Sequence, residues 1–154
     1  MSFELIPTGK NHIESIAELE KMCFSVPESK KSLEESLQSD MALYFTAFSD
    51  GAFVGYITSY VSFDTADILS IAVAEEHRRK GFGRMIMLGF IGECKKRGIA
   101  RITLEVRQSN SAAKGLYESI GFFAVGKRKG YYTLPKEDAV LYDLDITSAK
   151  ISNY

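Results

Sequence analysis

The sequence predicts an α/β (α+β) fold: a mixed central sheet with an antiparallel N-terminal meander and flanking helices. Three observations lead there. Short strand-like runs joined by tight turns crowd residues 43–73. A strand–helix–strand–helix–strand series follows from there to residue 144. A glycine-spaced basic run, His77-Arg78-Arg79-Lys80-Gly81-Phe82-Gly83-Arg84, sits where the first part passes into the second.

The elements follow in order. Phe3-Glu4-Leu5-Ile6 reads as a first strand, stopped by Pro7-Thr8-Gly9. Ile13, Ile16, Ala17 and Leu19 recur at helical spacing, so residues 11–23 form an amphipathic helix. Pro27-Glu28-Ser29 breaks it, and Leu33 with Leu37 marks a second, shorter helix. Leu43 to Phe48 is a strand, Ser49-Asp50-Gly51 a hairpin turn, Phe53 to Val61 the return strand and Asp64 to Val73 a third. A helix from about Phe82 ends at Lys95-Lys96-Arg97-Gly98, with cations in its last turn and glycine at the stop. Arg101 to Arg107 alternates like a strand. A helix starts at Asn110-Ser111 and stops at Gly121, and strands 122–126 and 140–144 close the fold. Residues 1–147 read as a single domain and 148–154 as a loose tail.

Composition excludes several classes. The chain has 154 residues and a formal net charge of -1, so it is not built to track nucleic acid. No apolar run approaches a membrane span, and the N-terminus has no secretory signal. Cys23 and Cys94 lack metal or redox spacing, and two histidines are too few for a metal cluster; no metal is predicted. Reduced thiols fit a cytoplasmic home. Oligomeric state is not legible.

The basic run joins a strand to the first turn of a helix. Free N–H groups and the positive end of the helix dipole lie there, so added cations call for an anion such as a diphosphate. The Walker pattern is absent. The dinucleotide fingerprint fails because its third glycine position is Ile86. R/Q-x-x-G-x-G/A does fit, as Arg78-Arg79-Lys80-Gly81-Phe82-Gly83.

That run resembles the acetyl-CoA pyrophosphate loop of the GNAT superfamily of N-acetyltransferases, and the order of elements resembles the GNAT fold across nearly the whole chain. Leu104-Glu105-Val106-Arg107-Gln108-Ser109-Asn110 is similar to the L-E-V-R-x-S-N signature of the ribosomal-protein-alanine N-acetyltransferases (RimI type). Leu116-Tyr117-Glu118-Ser119-Ile120-Gly121-Phe122 matches the L-Y-x-x-x-G-F that follows it. Arg128-Lys129-Gly130-Tyr131-Tyr132 and Glu137-Asp138-Ala139 resemble the family's later stretches. Two departures stand out. Pro27-Glu28-Ser29 replaces Pro-Trp-Ser in a chain without tryptophan, and Gly130 stands where Asn is common. Both put the acceptor, not acetyl-CoA use, in question.

The resemblance implies an acetyl-CoA-dependent N-alpha-acetyltransferase acting on the N-terminal alanine of protein eighteen of the small ribosomal subunit. Ile71, Ala72 and Val73 would offer backbone to the pantetheine arm. Arg79, Lys80, Gly81, Phe82, Gly83 and Arg84 would hold phosphates, and Asn110 would bind CoA or cap its helix. Glu105 would be the general base; alternation alone favours a solvated strand face, paired with Arg101 or Arg107. Tyr117 would be the general acid, or else a core tyrosine. Tyr131 and Tyr132 would line the acceptor channel or pack on the strand, and Lys127-Arg128-Lys129 reads as a solvated loop. The alternatives are a lysine or small-molecule amine acceptor, and, from another class, a non-catalytic CoA-binding sensor.

Overall fold

The computed structural model describes residues 2–147. The expected tail, 148–154, lies outside the described residues. Seven strands form one sheet: β1 (Phe3–Pro7), β2 (Phe45–Ser49), β3 (Ala52–Ser62), β4 (Thr65–Val73), β5 (Arg101–Arg107), β6 (Phe123–Thr133) and β7 (Lys136–Asp145). Their spatial order is β1-β2-β3-β4-β5-β7-β6. Four α-helices flank it: α1 (Ile13–Cys23), α2 (Lys30–Leu37), α3 (Phe82–Lys96) and α4 (Ser111–Ile120). None of the described helices is long and apolar enough to cross a membrane.

Strand alternation divides the core into two layers. Ile57, Ile86, Phe90, Leu104, Val106 and Tyr117 pack on the α3/α4 face. Ile13, Ile16, Leu19, Leu33, Tyr44 and Tyr56 pack on the α1/α2 face. Tyr56 and Ile57, adjacent on β3, are both fully buried, one in each layer. Gly55 permits the closest approach within this sandwich. A Cβ there would lie 2.3 Å from the Ala72 carbonyl oxygen and 3.1 Å from Ile86 Cδ1.

Every strand pair is antiparallel except β4 with β5. That parallel pairing joins Thr65–Asp67 to Arg101–Thr103 and then stops. The cause lies one strand over. Against β3, Thr58 pairs with Ser70 and Ser59 with Ile68, so Leu69 is an extra residue on β4. Such a bulge bends its strand and sharpens the twist. Beyond it β4 turns away from β5, and the sheet opens into a V between Ile68–Val73 and Leu104–Arg107.

One sequence expectation is corrected. Lys127-Arg128-Lys129 is not a loop: β6 runs from Phe123 to Thr133, and Lys127 and Arg128 pair with Val140 and Ala139 of β7. β6 is an edge strand exposed on both sides for most of its length. Its residues therefore need not alternate between apolar and polar, and the usual strand pattern is missing.

Candidate active site

The loop between β4 and α3 has the backbone an anion site needs. Gly81 is the α3 N-cap at φ +84°, and Arg79 is also left-handed at φ +62°. A left-handed turn this tight favours glycine. No side chain caps the helix, and its first turn contains no acid. The leading N–H groups and the positive dipole end thus await an external acceptor. Phe82 is buried, with its ring against Phe3 and His77, so it can offer only its backbone N–H. Gly83 keeps α3 close to α4: a Cβ there would touch Leu116 Cδ2 at 3.5 Å.

The cations of the run divide by task. Arg78 turns inward, donating from Nε to the Val73 carbonyl at 3.0 Å and from Nη2 to Cys23 Sγ at 3.1 Å. It braces the loop against the end of β4 and of α1. Arg84 donates to Ser119 Oγ at 2.8 Å, linking α3 to α4. Arg79 and Lys80 remain exposed beside the helix start. A diphosphate fits this donor set.

A cavity of about 270 Å³ fills the V. Ile71 lines its β4 wall, while Glu105 and Arg107 line its β5 wall. Ile71 and Val73 pack toward α3 and Ala72 toward α1, and of the three Ile71 alone is among the residues lining the cavity. Tyr117 enters from the α3/α4 face; Glu105 belongs to the opposite face, since Leu104 and Val106 on either side of it are buried against α3 and α4. Both side chains reach one cavity only because the strands between them have parted. Asn110 lines it too, and its Oδ1 accepts from the Ala113 N–H at 3.1 Å, capping α4.

Tyr117 is buried, and burial, with a smaller push from Tyr132, raises its phenol to about 12. Its proton therefore stays in place through neutral and mildly alkaline pH. Glu105 does not pair with Arg101 or Arg107. Those arginines hold Asp143 at 3.1 Å and Glu137 at 3.3 Å. Glu105 Oε1 instead lies 3.3 Å from Arg128 Nε, and the Tyr131 phenol lies near enough to the same carboxylate to feel it. That carboxylate, ahead of burial, raises the Tyr131 phenol.

A second cavity, of about 460 Å³, adjoins the first and shares Cys23, Phe24, Arg107 and Tyr132 with it. Its walls are the α1–α2 loop and the β6–β7 turn. Arg107 joins them: its guanidinium donates to the carbonyls of Leu134 and Pro135, both at 2.9 Å, and to Ser25 Oγ at 3.3 Å. It also lies 4.2 Å above the Tyr132 ring. Tyr131 packs edge-on against Tyr132 at 5.1 Å, so the tyrosine pair both packs and lines this space.

The two departures have local explanations. Gly130 has φ +62°, a region that asparagine also tolerates, and its N–H donates to Asp138 Oδ1 at 2.7 Å. Ser29 caps α2 by accepting from the Ser32 N–H at 3.1 Å, and the Glu28 N–H is held by Glu20 at 2.9 Å. Sequence reasoning missed Arg107 as a clamp, Arg128 at Glu105 and the buried Glu20. Two signals were available: Arg128 lies four residues before the tyrosine pair ends, and Glu20 falls on the apolar face of α1 with Ile13, Ile16 and Ala17.

Residues 13–122 match the model of the acetyltransferase (GNAT) family. The chain belongs to that family. It is an N-acetyltransferase, and it resembles the ribosomal-protein-alanine branch in particular. It is 36% identical over 131 residues to the [ribosomal protein bS18]-alanine N-acetyltransferase of Escherichia coli K12, covering 84% of this chain and 88% of the relative. The protein of that name from Haemophilus influenzae is 33% identical over 131 residues, covering 83% and 88%. The crystal structure of the ribosomal-protein-S18-alanine N-acetyltransferase from Escherichia coli superposes with a TM-score of 0.88 at 32% identity, covering 99% of each chain. The GNAT fold expected from the order of elements is therefore observed.

Proposed function

We propose that this GNAT enzyme moves the acetyl group of acetyl-CoA to the α-amine of a protein N-terminus, the N-terminal alanine of ribosomal protein bS18. One observation carries the reading: a carboxylate and a protonated phenol enter a single cavity from opposite faces of a split sheet. The relatives named for bS18-alanine acetylation support the acceptor.

Bound acetyl-CoA would supply the activated thioester. The α3 N-terminus, Gly81, Gly83, Arg79 and Lys80 would hold its phosphates, and Ile71–Val73 would present strand backbone along the cleft. The amine would enter through the 460 Å³ space between the two loops that Arg107 ties together. Glu105 takes the proton the amine loses on attack. An α-amine, with pKa near 7.7–8.0, is about 2.5 units easier to neutralise than a lysine, or roughly 3.5 kcal/mol. One carboxylate suffices for such an acceptor. Tyr117 would serve the leaving sulfur. A phenol held at about 12 keeps its proton, so it first acts as hydrogen-bond donor to the developing thiolate.

The deciding experiment is CoA release with acetyl-CoA and two peptides. One carries a free N-terminal alanine and the basic ribosomal sequence; the other has a blocked N-terminus and intact lysines. Release with the free peptide alone is expected. Release with the blocked peptide moves the acceptor to lysine. Release with neither, despite acetyl-CoA binding, points to small amines or a sensor.

A further inference from the structure

Arg128 pairs with Glu105, and the Tyr131 phenol lies toward the same carboxylate, although three residues apart on one strand the two would ordinarily face opposite ways. The backbone explains it. Arg128 pairs with Ala139 and Tyr132 with Glu137, so β6 takes four steps where β7 takes two. The irregularity centres on Gly130, left-handed at φ +62° and anchored by Asp138. This bulge re-aims two side chains onto one carboxylate. Arg128 also lies over the Tyr131 ring at 5.4 Å. Arg128 has no other acid partner among the described ion pairs, whereas Arg101 and Arg107 are each held by a different acid.

We propose that Arg128 is a specificity-determining residue: its guanidinium occupies Glu105 and withholds a bare carboxylate from cationic amines, so the cleft favours an amine that arrives neutral. This rests on the N-terminal reading above and adds the physical basis of its selectivity. Arg128 takes Oε1 of Glu105, and a carboxylate has about four acceptor positions, so a neutral amine still finds a lone pair. A lysine or polyamine ammonium would instead share the carboxylate with a guanidinium of like charge. Of the other groups around Glu105, Tyr131 and Tyr132 are neutral phenols, the Arg107 donors are taken by carbonyls, Ser25 and Glu137, Asp143 is held by Arg101, and Asp67, in the same cleft as Arg128 and Glu105, accepts from Thr103 Oγ1 at 2.7 Å. The pair is partly open to solvent, with 57% of the Arg128 and 24% of the Glu105 side chain exposed. The effect is accordingly about fivefold, as expected for unit charges at 4 Å in water.

The test compares parent, Arg128→Gln and Arg128→Lys at pH 9 with saturating acetyl-CoA. At that pH an α-amine is mostly neutral and a lysine mostly charged. The acceptors are a lysine-free peptide with an open N-terminal alanine and an N-terminally blocked peptide with one lysine. R128Q should raise the lysine-to-α-amine ratio of kcat/KM about fivefold, through a lower KM for the lysine peptide, and R128K should keep the parent ratio. An unchanged ratio in R128Q, or an equal rise in R128K, overturns the proposal. Arg128→Met is the second variant should R128Q fail to bind acetyl-CoA, with the same expectation. If the parent prefers the blocked peptide, the N-terminal reading falls, and the direction of the R128Q change still decides the role of Arg128. A parent inactive on both peptides overturns both.

Discussion

Replacing Glu20 tests how the proposed acceptor side is built. This glutamate sits in the last turn of α1, 3% exposed, where the helix dipole disfavours a negative charge. Three donors hold it: the Tyr56 phenol, Ser70 Oγ at 2.8 Å and the Glu28 N–H at 2.9 Å. The Tyr56 phenol is driven far above its ordinary value, first by burial and then by the charge of Glu20. It stays protonated and serves as a permanent donor. A hydrogen bond to a charged group contributes about 1.5–3 kcal/mol, and stranding a buried partner costs about 1–3 kcal/mol. In Glu20→Ala the Tyr56 and Ser70 hydroxyls still have each other at 2.8 Å, and loss of a buried charge returns some desolvation energy. The net cost should be about 3 kcal/mol, or roughly 6–12 °C in Tm for a domain of this size. Glu20→Gln keeps the volume. Its amide oxygen can serve the Glu28 N–H while its NH2 donates to the two hydroxyls, so about 1 kcal/mol is expected. Urea unfolding read by fluorescence and circular dichroism, at constant m-value, measures both. Since Glu20 also anchors the loop ahead of α2, KM for the acceptor peptide should rise in E20A while KM for acetyl-CoA holds. A cost below about 1 kcal/mol for E20A, or equal costs for the two variants, would refute this reasoning.

Three further outcomes follow from the same geometry. Tyr117→Phe should cut kcat at least tenfold with little change in acetyl-CoA affinity by calorimetry, on the ~10²-fold scale of acid catalysis; unchanged kcat would remove the donor role. Gly55→Ala pushes a Cβ to 2.3 Å from the Ala72 carbonyl, backbone against backbone, and should cost about 3 kcal/mol or abolish soluble expression. A stable G55A protein would show that the β3–β4 contact yields easily. Alkali should destabilise the fold in a defined window. Burial raises Cys94 from 9.0 and Tyr117 from 10.0, each to about 12. Their neutral forms favour the native state, so this stability is complete below pH 9 and is lost as pH climbs toward 12. Thermal unfolding from pH 8 to 11 should show Tm falling from about pH 9 onward; a flat curve would contradict the burial of both groups.

Local pattern carried much of the site. Alternation along Arg101–Arg107 put Glu105 opposite Leu104 and Val106, and it lies there. Helical spacing put Tyr117 on the apolar side of α4, where it is buried. The glycine spacing of the basic run marked a tight strand-to-helix turn, and Gly81 is left-handed at the α3 start. Each of these is a property of one element, set by the periodicity of its own residues.

The partners of those residues had no such signal. Glu105 meets Arg128 because β7 lies between β5 and β6, and because a bulge at Gly130 turns the edge strand. Nearer arginines in sequence, Arg101 and Arg107, are claimed by Asp143 and Glu137 of β7. Helical spacing puts Glu20 on the face of Ile13, Ile16 and Ala17, but nothing in α1 names the partners it meets there, Tyr56 and Ser70, 36 and 50 residues away. The amino-acid sequence by itself determined which side chains share a strand face, a helix face or a glycine turn, since those follow from repeats of 2 and 3.6 residues. Which of them touch was decided by strand order, bulges and the opening of β4 from β5. These are long-range pairings, stabilised only once the whole sheet is assembled.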